Sequence, residues 1–174
     1  MIGNLDGDLI AFRCSASVGL EGEEEIAILR TDKLMRDLLY NTESTSYNCY
    51  LSGRNNFRKK VNLDYKANRK DKEPPRWLQS CREYLIKEWN AVVSEGCEAD
   101  DLLGINQHNT DSVCISLDKY LLMITGWHYR WLDNEKIFVT PDQGLKTFYK
   151  QRMIGDKSDN IFGVRGIGPV KAAG

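Results

Sequence analysis

The sequence predicts an α/β fold with a largely parallel central sheet flanked by helices. Short β-rich apolar runs alternate with helical patterns along the chain, the order that builds βαβ units. Acidic residues follow several of these runs directly, and an open parallel sheet binds its ligands beyond the carboxyl ends of its strands. The 174 residues, 41% hydrophobic and 28% charged, match globular averages and suit about one domain, which excludes a disordered or fibrous chain.

The elements follow in chain order. Met1–Leu5 reads as a strand, and Gly7–Ser17 as the helix behind it. Thr31–Tyr40 is helical and Ser46–Leu51 is β-rich; Trp77–Val93 and Ala99–Asn109 again carry helical periodicity. Ser112–Leu117, Leu121–Thr125 and Lys136–Thr140 read as further strands, and Asp142–Gln151 as a last helix. Residues 1–150 are expected to form the main domain, and residues 151–174 a separate C-terminal element.

No window approaches the roughly 18 uninterrupted apolar residues of a membrane span, and the N-terminus carries two acids where a signal peptide would carry lysines. A cytoplasmic protein without a membrane partner is expected. Five scattered cysteines without a C-x-x-C spacing read as reduced thiols, and His108 and His128 add no ligand pattern.

The net charge of −1 hides a segregation. Between Arg54 and Arg76 nine basic residues face three acids, a local net of +6. A basic run is often a solvated helix face, but Phe57, Tyr65 and Trp77 are interleaved here. Aromatic rings stack on bases while Lys and Arg neutralise phosphates, so a nucleic acid backbone fits this segment.

The acids cluster too. Asp6 and Asp118 each end an apolar strand, Glu98 and Asp101 share one face at a helix start, and Asp100, Asp156 and Asp159 lie in similar clusters. Two bare carboxylates about 5 Å apart repel by roughly 3 kcal/mol at an effective dielectric of 20. Bringing several together therefore requires cations, and an all-oxygen set suits Mg²⁺ or Mn²⁺. The glycine-rich segment from Gly163 to Lys171 is not a dinucleotide fingerprint. Its Gly166-Ile-Gly168 turn is either a plain tight turn or a nest for a phosphate oxygen or a monovalent cation.

Together these motifs resemble the 5′ nuclease superfamily, comprising flap endonucleases, the 5′→3′ exonuclease domain of bacterial polymerase I and phage 5′ exonucleases. The matching residues are Asp6-Gly7-Asp8 with Arg13, Asn56-Phe57-Arg58, Tyr65-Lys66-Ala67-Asn68-Arg69, Glu98-Ala99-Asp100-Asp101, Ser116-Leu117-Asp118-Lys119, and Gly155-Asp156-Lys157-Ser158-Asp159-Asn160 running into 163–171.

The resemblance implies a PIN/FEN-like catalytic domain with a helical arch at about 54–80 and the start of a helix-hairpin-helix element at 151–174. It implies hydrolysis of DNA phosphodiesters with two divalent ions. Asp6, Glu98 and Asp100 would hold the first; Asp101, Asp118, Asp156 and Asp159 would serve the second. Lys66 and Arg69 would act at the scissile phosphate. Arg13, Arg58 and Tyr65 would contact DNA, and Gly166, Gly168 and Lys171 would grip the duplex, with K⁺ at the hairpin. The implied partner is DNA with 5′ ends or flaps, bound without regard to sequence by a monomer.

Three departures stand out. The strand ending near Leu51 lacks an Asp common in the family. Tyr120 replaces the second Asp of an Asp-Lys-Asp motif, and a phenol is a poor Mg²⁺ ligand at neutral pH, so a weak second metal site is expected. The chain also stops at Gly174, where relatives continue, and reads as a truncated product. Leu51 and Tyr120 keep open a catalytically impaired DNA-end binder. A PIN-type ribonuclease is disfavoured because its compact form lacks both the arch segment and the hairpin.

Overall fold

The computed structural model describes residues 1–69 and 72–172, with the side chains of Arg69 and Asn109 left aside. Its centre is a six-stranded sheet built from β1 (Ile2–Asp6), β2 (Ser46–Leu51), β3 (Val92–Val93), β4 (Ser112–Ile115), β5 (Gly126–Arg130) and β6 (Glu135–Val139). The strand order is β3-β2-β1-β4-β5-β6, parallel throughout except for the antiparallel β5–β6 hairpin. The order reverses between β1 and β4, and at such a switch point neighbouring loops diverge and leave a crevice.

β1 is paired on both sides, Leu5 lying beside Cys49 and Ile115. Alternation sends Leu5, Leu51, Val113 and Ile115 into the larger core. That core is closed by α1 (Gly7–Val18), α2 (Glu24–Asn41) and α4 (Leu78–Trp89), which contribute Ile10, Met35, Leu38 and Leu85. Tyr50 and Cys114, on the other face, pack with Ala99 and Leu103 of α5 (Ala99–Asn109) and with Leu121. Asn4 is completely buried in β1, yet its amide is satisfied across three strands: it donates to Ser112 Oγ at 3.0 Å and accepts from Asn48 at 2.9 Å.

β1 runs into α1 without a loop. Asp6 ends the strand and also caps the helix, accepting from Leu9 N–H at 3.0 Å. Gly7 makes this abrupt turn possible, because a Cβ there would stand 2.7 Å from the Tyr50 carbonyl oxygen and 2.9 Å from Cys49 Sγ.

Three elements differ from the sequence-based expectation. Leu121–Thr125 is not a strand: Lys119–Met123 forms a 3₁₀ turn, started by the Asp118 carboxylate accepting from Tyr120 N–H at 2.8 Å, and the strand follows at β5. A short apolar run carries no period that separates the two outcomes. The helix expected to reach Val93 stops at Trp89, where Asn90 turns left-handed (φ 50°) and releases Val92 to pair with Tyr50. Helix α2 begins seven residues earlier than expected, at Glu24, because Ala27, Thr31, Met35 and Leu38 all face the core.

Among the described residues, the basic segment after β2 holds a four-residue helix, α3 (Arg58–Val61), and a 3₁₀ turn at Ala67–Arg69; the expected arch at about 54–80 also takes in residues 70 and 71, which lie outside the described residues, and the first turn of α4. After β6 the chain forms α6 (Pro141–Ile154) and a small hairpin of β7 (Gly155–Asp156) and β8 (Ile161–Phe162). Residues 163–172 make successive turns, so the helix-hairpin-helix is not seen among the described residues. Among those residues no helix is long and apolar enough to cross a membrane.

Candidate active site

A cleft of about 1450 Å³ opens beyond the carboxyl ends of β1 and β4. Asp6 reaches it from β1 and Asp118 from the end of the segment after β4. Ser116 ties the two together: its hydroxyl donates to Asp6 Oδ2 at 2.7 Å and accepts from Asp118 N–H at 3.0 Å. Asp100 enters from the first turn of α5.

These three carboxylates feel one another. Burial pushes Asp6 up to about 6, with the charges of Asp8 and Asp118 adding to the effect. Asp100 is pushed up to about 8 by burial and then by Asp6, Asp118 and Glu98. Asp118 is raised by burial and by Asp156 and Asp159. Among the described residues the Asp100 carboxylate accepts no hydrogen bond, and a desolvated carboxylate in that position calls for a proton or a cation.

The other carboxylates at the cleft have partners. Glu98, buried at the N-terminus of α5, accepts from Lys66 Nζ at 2.8 Å, Asn56 Nδ2 at 3.1 Å and the Tyr65 hydroxyl at 2.8 Å. Asp101 forms a two-pronged pair with Arg58 at 2.6 and 2.7 Å, which holds its carboxyl below the usual range. Asp156 accepts from the Ser158 backbone at 2.8 Å and hydroxyl at 2.6 Å. Asp159 accepts from the Tyr65 hydroxyl at 2.9 Å. That hydroxyl is pushed well above its ordinary value by burial and by the two carboxylates it serves.

The structure therefore brings Asp6, Glu98, Asp100, Asp101, Asp118, Asp156, Asp159, Arg13, Arg58, Tyr65 and Lys66 to one cleft. Among the described residues, however, no three carboxylate, imidazole or thiolate groups form a ready metal-ligand set. Gly166, Gly168 and Lys171 are exposed and line no part of the cleft. The Arg69 side chain lies outside the described residues. Leu51 is fully buried in the core, whereas Tyr120 stands on the cleft wall with the Lys119 ammonium over its ring.

Four contributors had no role in the sequence reading. Asn56 and Ser116 lie inside recognised motifs, but only the fold shows what they bond. Arg82 of α4 pairs with Asp8 and donates to the Ser52 carbonyl at 2.7 Å. Ser52 in turn donates its N–H to Asp8 at 2.8 Å and accepts from Ala99 N–H at 2.9 Å, linking β2 to the start of α5. On α4, Arg82 looks like one more charge on a solvated face.

No family model matches the sequence. Among solved structures, the chain is similar to the bacteriophage T5 5′-exonuclease with bound zinc, at 19% identity and a TM-score of 0.75, over 98% of this chain and 72% of that one. It is also similar to a flap endonuclease variant of the same phage, solved as a product complex with DNA and metal ions (TM-score 0.74, 19% identity, 98% and 72% covered). The chain has the 5′ nuclease fold. The catalytic core of Rad2 in complex with DNA substrate shares this fold at 12% identity and a TM-score of 0.61, over 98% of this chain and 59% of that one. The 5′ nuclease fold thus spans nearly all of the chain, including the strands and helices that carry its acidic cleft.

Proposed function

We propose that the chain is a structure-specific 5′ nuclease that hydrolyses DNA phosphodiester bonds, as a 5′→3′ exonuclease or flap endonuclease, by a two-metal-ion mechanism. The observation that supports this most is the meeting of a buried carboxylate from β1 with half-buried ones from the β4 end and α5 at the sheet's switch point, beside a cationic loop. The donors fit Mg²⁺ or Mn²⁺, since they are all oxygen and Asp100 is desolvated without a hydrogen-bond donor among the described residues. Asp6, Glu98 and Asp100 would hold the first ion; Asp101, Asp118, Asp156 and Asp159 would hold the second or orient its waters. Such ions supply a nucleophilic water at neutral pH and charge stabilisation for the phosphate.

The chain's own groups do the rest. Ser116 keeps Asp6 and Asp118 in register, and the Arg82–Asp8–Ser52 linkage holds the start of α5 against β2. Lys66 and Arg69 would meet the scissile phosphate and offset its developing charge. Arg13 and Tyr65 would contact the neighbouring strand, with Arg58 anchoring the loop through Asp101. Gly166, Gly168 and Lys171 would engage the duplex backbone, assisted by K⁺, without reading sequence. The protein would act as a cytoplasmic monomer on 5′ ends or flaps.

Cleavage of a labelled 5′-flap duplex with Mg²⁺ or Mn²⁺ tests the reading. Asp118→Asn is expected to lower the single-turnover rate by at least about 100-fold and to leave DNA affinity nearly unchanged. Retained turnover in that variant, or in excess chelator, would refute the metal mechanism.

A second reading, a DNA 5′-end binder with little turnover, is favoured by Tyr120 on the cleft wall, where the family's motif carries a carboxylate. Binding without cleavage at millimolar Mg²⁺ would select it.

A further inference from the structure

The loop that carries Lys66 is fastened across the cleft. Tyr65 shares its one hydroxyl proton between Glu98 and Asp159, at 2.8 and 2.9 Å, and Lys66 places its ammonium on Glu98 and its backbone N–H on the Asp159 carbonyl at 3.0 Å. Two amides complete the closure from the rim: Asn68 Nδ2 donates to the Lys157 carbonyl at 2.8 Å and Asn160 Nδ2 to the Asp64 carbonyl at 2.9 Å. Residues 89 to 96 positions apart, in segments 64–68 and 157–160, thereby hold each other.

The fastening is polar. Val61 and Leu63 are 82% and 87% exposed, and Tyr65 is the loop's one buried apolar residue among those described. Lys66 holds a left-handed backbone (φ 57°), a conformation that a lysine keeps only when its surroundings impose it. A segment with so little apolar burial belongs to the low-stability end of a fold. The loop is therefore built to be released.

Glu98 is where release would couple to ion binding. Its two oxygens already accept three hydrogen bonds, one from an ammonium, out of about four lone-pair sites. A divalent ion on Glu98 would meet the positive charge of Lys66 at ion-pair range, where like charges repel. Lys66 and the ion would therefore compete for Glu98.

Building on the nuclease reading, we infer that residues 62–68 form an internal plug: Tyr65 and Lys66 compete with the divalent ion for Glu98 and Asp159, and ion binding frees the loop. Free Lys66 is then available to a phosphate only in a protein already loaded with metal, which orders the two events.

The test uses the intact chain and Mn²⁺ alone, with free ion counted by electron paramagnetic resonance. Asn68→Ala combined with Asn160→Ala removes the rim bonds without touching a carboxylate or the core, and Tyr65→Phe removes the shared hydroxyl. Either protein is expected to bind Mn²⁺ roughly three- to tenfold more tightly than the parent. In the parent, limited trypsin cleavage between Lys59 and Lys66 is expected to accelerate as Mn²⁺ occupancy rises. Equal Mn²⁺ affinities, or cleavage that Mn²⁺ leaves unchanged or slows, would overturn the plug and leave the nuclease reading standing. If Mn²⁺ binds none of the three proteins, the plug and the metal mechanism fall together.

Discussion

Asp6 shows how one residue can serve both fold and site. It ends β1, caps α1 and is raised to about 6 by its burial, so the bond that stops the strand also aims a carboxylate into the cleft. Tyr120 is the opposite case, a side chain on the same wall that adds no charge. Tyr120→Asp is expected to lower the Mg²⁺ concentration that half-saturates cleavage several-fold, because it adds a hard oxygen donor beside Asp118. A metal titration of parent and variant checks this, and coincident curves would place position 120 away from the ions. The carboxylates themselves were legible in the sequence, since a strand end dictates where a side chain emerges. Their partners were not: Glu98 meets Lys66 across 32 positions and Asp101 meets Arg58 across 43, and no local pattern encodes such pairs.

At the scale of elements, the β1–α1 turn is the tightest constraint. Gly7→Ala would drive a Cβ to 2.7 Å from the Tyr50 carbonyl oxygen. Backbone cannot yield as a side-chain end does, so the variant is expected to lose about 1–3 kcal/mol despite alanine's better helix propensity. Urea unfolding measures the difference, and an unchanged midpoint would mean that α1 moves freely away from β2. The strand–helix alternation of the chain's first half was legible because its periods are long and clear. The region from Leu121 to Arg130 was not: an apolar run there fits a strand equally well, and it takes the Asp118 cap and the pairing of His128 with Cys114 to move the strand five residues on.

At the scale of the whole molecule, the sheet's completion by β5 buries His128, whose Nε2 lies 2.7 Å from the Ile124 carbonyl oxygen. Burial holds this imidazole below its ordinary value of 6.5. The unfolded chain therefore takes up a proton that the folded chain refuses, and stability is lost as pH falls through about 6.5 toward the lower folded value. Above that range His128 contributes no pH dependence. His128→Gln is expected to flatten the stability profile between about pH 7 and pH 5.5 in urea unfolding, and parallel profiles would show that His128 takes up its proton equally well in the folded and unfolded chains.

By itself the sequence determined the α/β class, the strand-end acids and the basic segment, because each is written in local periodicity and composition. Only the tertiary structure decided which acids are held by Lys66, Arg58 and Arg82. Charge pairing across distant segments depends on the crevice that opens where the strand order reverses between β1 and β4.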